Sequence, residues 1–434
     1  MALTEQNRAR RAGEQPVRRP RPAMGPAASG PFAGAGLGIG VAFAAIVVSL
    51  VWRLAPGAPG ERWPAVHLFT LGALTPLIAT FMPRFAAALL HTRPLRRDGE
   101  RSRTMLVILG AGLTISGRLT GNTPLLAVGA AVLSFAIGWL YVALRRERRS
   151  ALPARFVFIV RAYEHACAAF LHGALLGALL GAGVFRGEWY GAARAAHLQL
   201  MLLGWAGITL LATVVMFGPA VMRARMEEGA DAIAARWIPH AATALSLAAL
   251  ALLATGAGGT VGAIARSAAG AALVVYLWTA LRVCVPVIRT AARANRSAAT
   301  WFMAAATIWF MAAVALDTAS VFAAKMIWTD AAAVVFLVGV LLHAILASLT
   351  HVLPLLLGRD AARRAEIGDR LSALPRARTI VLSAGATLAA AGTGMMSEIG
   401  SDLARIGWML VAACIAVTLI LVVFAATKPG AARE

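Results

Sequence analysis

The chain has 434 residues, of which 60% are hydrophobic and 14% charged, with a mean hydropathy of +0.75. A soluble domain runs nearer half apolar and a quarter charged, so repeated apolar runs long enough to cross a core of about 30 Å imply a polytopic membrane protein. The net charge of +22 falls in short tracts between those runs, not on one soluble face, so the lipid bilayer, and not nucleic acid, is the expected partner.

Residues 1–33 include "RARRAGEQPVRRPRP" and read as a basic, disordered cytoplasmic tail drawn to anionic headgroups. The apolar run near 34–52, followed by "LAPGA", resembles a signal sequence but is long for one, and is read as a retained first helix. Apolar runs then predict twelve transmembrane helices near 34–54, 64–90, 104–119, 122–144, 156–185, 192–222, 238–256, 260–288, 299–321, 330–357, 379–396 and 402–426. The expected architecture is an all-α helical bundle at 34–427, with 428–434 a short second tail.

The connections support this count. "HTRPLRRDGERSR", "RRERRSALPAR", "RARMEEGADAIAAR", "RTAARANR" and "GRDAARRAEIGDRLSALPRAR" are rich in arginine, and the intervening "TGNT", "TGAGGT" and "MMSEIGSDLAR" carry little positive charge. Placing both termini and the basic loops in the cytoplasm puts roughly 30 of the 41 Lys/Arg inside and about 8 outside. The loop at 358–378 is too short for an independent core. Cys167, Cys284 and Cys414 lie singly within apolar runs and read as small core residues, not as a disulfide or zinc set.

Polar residues inside spans carry the functional candidates, because hydrocarbon cannot satisfy them. In the second helix, "HLFTLGALTPLIATFMPRFAAALLH" sets His67 and His91 at its two ends. Its Pro76 and Pro83 predict kinks, with nearby threonines able to satisfy freed carbonyls. In the fifth helix Arg161, His165 and His172 fall within about 40° of one another, with Glu164 about 60° to one side. That stripe is expected to face the bundle, with Arg161 spaced to pair with Glu164 and the histidines left as ligands or proton carriers; the alternative is a polar network that orients helices.

The sixth helix carries His197, Gln199 and Trp205, and the tenth carries His343 and His351. His91 and His240 sit at predicted inner boundaries, where a surface role is expected. Asp317, Lys325 and Asp330 lie near the outer interface, so Asp317 is expected to be solvated, with an ion or proton site as the alternative.

Three segments, "HLFTLGALTPLI", "AHLQLMLLGWAGITLLATVVMFGPAVMRARM" and "LHAILASLTHVLPLLLG", resemble the haem–copper oxidase subunit I superfamily and its NnrS-like relatives. They are most similar to a bacterial membrane module sometimes joined to a cupredoxin-type copper oxidase domain. The resemblance implies a multi-pass protein of the bacterial plasma membrane with haem or copper as cofactor. It also implies a periplasmic redox partner, or a separate copper oxidase domain, since no cupredoxin segment follows the twelfth predicted helix. In that family helices two and ten supply haem ligands, and helices six and seven supply copper ligands. By position His67 matches the helix-two ligand and His197 the helix-six histidine.

The sequence departs from the family elsewhere. His343 and His351 are eight residues apart where the family has a close pair. The seventh helix lacks its adjacent histidines, and no tyrosine follows His197 by one turn, so complete oxygen-reducing chemistry is not carried over.

Depth offers a separate criterion, since two ligands of one metal must lie at one level. From a rise of 1.5 Å per residue, His67 lies ~5 Å below the outer surface and His343 ~20 Å. The levels therefore pair His67 with His197 near the outer face and His172 with His343 at depth. A proton-coupled transporter, and an accessory subunit that keeps the fold without a cofactor, stay open as alternatives.

Overall fold

The computed structural model describes residues 35–55, 57, 62–92, 97–152 and 154–427. The tails expected at 1–33 and 428–434 lie outside the described residues. Those described form thirteen helices and no strand. In chain order they are α1 Gly36–Leu54, α2 Trp63–Leu90, α3 Arg97–Leu119, α4 Thr123–Ser150, α5 Val157–Gly181, α6 Glu188–Val221 and α7 Ala230–Ala257. They continue as α8 Gly259–Arg293, α9 Ala298–Ala323, α10 Met326–Leu357, α11 Ala361–Leu371, α12 Pro375–Gly394 and α13 Glu398–Thr427.

Ten of these, all but α3, α11 and α12, are long and apolar enough to cross a membrane. The all-helical multi-pass membrane reading therefore stands. In α3 the helix reaches back to Arg97 and opens on a charged segment, and α12 begins "PRAR" and is rich in Gly, Ala and Thr. Both pack as hairpins with the more apolar helix that follows.

Small residues make that packing close. Gly385 lies so near α13 that a Cβ there would sit 2.9 Å from the Gly407 carbonyl oxygen; one on Gly110 would sit 2.8 Å from the Leu133 nitrogen on α4. Backbone-to-backbone contact is how helices gain dispersion energy where hydrocarbon supplies no hydrophobic drive. The segment read as a loop at 358–378 instead holds α11, capped by the Asp360 carboxylate, which accepts from the Arg363 N–H. Ile367 and Leu371 are buried, while Arg363 and Arg370 donate to the carbonyls of Ala425 and Phe424 at the end of α13.

Three helices widen to π geometry partway along: α2 at Leu68–Leu74, α6 at Leu200–Ile208 and α10 at Val335–Leu342. In α2 the cause is legible. Pro76 has no N–H, and its ring would collide with the carbonyl four residues back, at Gly72. The kink expected at Pro76 thus takes the form of a wider turn, with both the N–H and the hydroxyl of Thr75 donating to the Thr70 carbonyl.

A π segment turns backbone oxygens away from its own ladder, and neighbouring side chains meet them here. The Tyr276 hydroxyl donates to the Leu203 carbonyl over 2.8 Å, and His343 Nδ1 donates to the Val338 carbonyl over 3.2 Å. The Trp205 indole donates to Thr75 Oγ1 over 3.3 Å, joining α6 to α2.

Candidate functional site

His67 is the residue directly before the α2 π segment, and His197 lies three residues before that of α6. The structure brings these two rings together: their centroids are 6.5 Å apart and their planes lie 14° from parallel. Both side chains are half-buried.

Each ring is fixed by one hydrogen bond. His67 Nδ1 meets the Trp63 carbonyl at 2.9 Å, and His197 Nδ1 meets the Gly173 carbonyl at 2.8 Å. A carbonyl only accepts, so each Nδ1 carries the proton, and a neutral ring then presents Nε2 as a bare lone pair. Neither Nε2 has a hydrogen bond among the described residues. Trp63 stacks on His67 with centroids 3.9 Å apart, which sets the ring plane as well.

The wall behind His197 is α5. Gly173, Gly177 and Gly181 repeat every four residues on one face, where α6 and α4 press against them. A Cβ on Gly177 would come 2.8 Å from His197 Cε1, so the imidazole occupies the space of an absent side chain. In the sequence the histidines of this helix stand out, and the glycines that make room for His197 do not. Their small-xxx-small spacing was the available signal.

The 6.5 Å between the ring centres can be compared with the spacing of two imidazoles on one metal ion. A metal–nitrogen distance of about 2.0–2.1 Å, with about 1.1 Å from nitrogen to ring centre, puts the two centres about 6.3 Å apart. A second hydrogen bond that orients each ligand ring is the usual companion of such ligation. Among the described residues no group of three or more His, Cys, Asp or Glu converges, so His67 and His197 are the side chains that would hold a metal here.

The other sequence candidates lie elsewhere. His343 is fully buried, with Nδ1 on Val338 and Nε2 3.3 Å from Ser383 Oγ, so both ring nitrogens already have partners. His172 is exposed and bonds the Ala168 carbonyl of its own helix, so the deeper His172–His343 pair is not assembled. His351 is half-buried toward the far end of α10. His91 is exposed at the end of α2 and His240 is exposed beside Trp237.

The expected inward stripe of α5 is corrected. Arg161, His165 and His172 are exposed, and the buried face of that helix is Ala, Tyr163, Cys167 and Phe170. Glu164 is buried but pairs with Arg148 of α4, at 2.5 and 3.0 Å in a two-pronged bridge, and not with Arg161. The interhelical partner wins because it closes the α4–α5 contact, and both guanidinium prongs reach the carboxylate.

Asp317 is also corrected: it is buried and not solvated. Gln199 Nε2 donates to Asp317 Oδ2 over 2.5 Å, joining α6 to α9.

Compared with known proteins, the chain matches no family model and no curated protein.

Proposed function

We propose that the chain is a bacterial plasma-membrane protein of oxidase-like fold that holds one metal, copper or haem iron, between His67 and His197 near the outer face. The observation that carries this reading is the pair of near-parallel rings 6.5 Å apart, each with Nδ1 tied to a carbonyl and Nε2 free to bind. The topology that goes with it has twelve spans, α3 and α12 included, and cytoplasmic termini. It would set the site toward a periplasmic electron donor or copper oxidase domain.

When bound, such a metal supplies one-electron transfer or the binding of a small gas. The chain's own contribution is positional. Trp63 and Gly173 hold the ring protons, Gly177 leaves room for His197, and the Trp205–Thr75 bond keeps α2 and α6 in register. With both His343 nitrogens engaged, a second centre of the kind needed for full oxygen reduction is not part of this proposal.

The test is the absorbance spectrum and copper content of the detergent-purified full chain, expressed with haem and copper supplied. A Soret band or about one copper per chain is expected. His67→Ala and His197→Ala should each remove it, while His172→Ala and His351→Ala retain it. A metal-free protein whose thermal midpoint does not respond to added copper or haemin overturns the reading.

A further inference from the structure

Asp317 poses an electrostatic problem that the histidine pair does not touch. It is 8% exposed, and Arg194, on the same helix as its partner Gln199, pairs with Asp330 of α10 instead. Among the described residues Asp317 forms no ion pair. An ionised carboxylate buried in this way is costly unless some cation balances it.

The surrounding oxygens are arranged for one. Asp317 as a carboxylate can only accept, so it takes the amide nitrogen of Gln199 and turns the amide oxygen away. Among the described residues that oxygen, Gln199 Oε1, is buried and has no hydrogen-bond partner, and Gln199 itself is 2% exposed. Gln199, Asp317 and Thr329 together line a void of about 20 Å³ between α6, α9 and α10. The volume is that of about one water-sized body. The Ser320 hydroxyl bonds both the Asp317 carbonyl, at 2.7 Å, and Thr329 Oγ1, at 2.9 Å, which steadies the α9 and α10 walls.

We propose that Asp317, Gln199 and Thr329 form a binding site for one monovalent cation of the sodium class, balanced by the single carboxylate. A divalent ion is disfavoured, since calcium takes 6–8 oxygens and several carboxylates. The site is independent of the histidine pair, so either proposal can fail alone.

The experiment is thermal unfolding of the purified full chain in sodium, potassium or choline chloride at equal ionic strength. Sodium is expected to raise the midpoint saturably, by about 3 °C near saturation. Asp317→Asn, which keeps the shape and removes the charge, should lose that response. Gln199→Leu should weaken it at least tenfold in the sodium concentration required. Metal content at His67 and His197 should stay unchanged in Asp317→Asn. Equal midpoints in the three salts, which would mean that the carboxyl carries a proton instead, overturn the proposal. So does a sodium response that survives Asp317→Asn.

Discussion

At the scale of single residues, the protein sets polar groups into apolar helices by giving each a specified partner. His67, His197 and His343 all have Nδ1 on a backbone oxygen, and they differ in what meets Nε2. That difference separates a candidate ligand from a core histidine, and residue type alone does not reveal it. Gly177→Ala tests the cradle: the added methyl presses on the His197 ring, so metal retention should fall several-fold. Overpacking of this kind costs about 1–3 kcal/mol, which the thermal midpoint would register. Glu164 and Arg148 give a second test, read by thermal unfolding in detergent. Arg148→Ala should destabilise by about 3 kcal/mol because it strands a buried carboxylate, while the double change Arg148→Met with Glu164→Met should cost less.

At the scale of helices, the three π segments decide which side chains share a face. A regular helix advances about 100° per residue, so one extra residue in a turn rotates everything before it relative to everything after. Pro76→Ala removes the clash that widens α2. It is expected to swing His67 away from His197, abolishing metal binding, so that the thermal midpoint no longer rises with added copper or haemin. Tyr276→Phe leaves the Leu203 carbonyl of the α6 π segment without its partner. A loss of about 1–3 kcal/mol is expected from denaturant unfolding.

Across the whole molecule, ion pairs stitch the face that carries the basic loops. Arg84 meets Glu100, Arg148 meets Glu164, Arg155 meets Asp231, Arg293 meets Glu227, and Arg363 and Arg370 meet Glu366. Glu366 lies on α11, outside the spans, and its hydrogen bond from Arg363, with Arg370 adding to it, holds its carboxyl below the ordinary glutamate range. A carboxylate depressed in the folded state stabilises above its unfolded range, and that support is lost as pH falls through the lower folded value. Protease cleavage within 358–378 should therefore rise as the medium is acidified below the ordinary glutamate range. In Glu366→Gln it should be high already at neutral pH.

The sequence by itself determined the all-helical, multi-pass class of the molecule, and its depth levels paired His67 with His197, which the structure brings together, and His172 with His343, which it does not. Those properties follow from apolar length, charge in the connections and rise per residue, which are local quantities. It did not determine the facing of α5, the partner of Glu164, the burial of Asp317 or the engagement of both His343 nitrogens. Each depends on helix rotation, and in this chain rotation is set by π turns and by glycines such as Gly177 that let backbones approach. Only tertiary contact fixes these, because an Ala-rich apolar helix has nearly the same hydropathy on every side and leaves the choice of face to its neighbours.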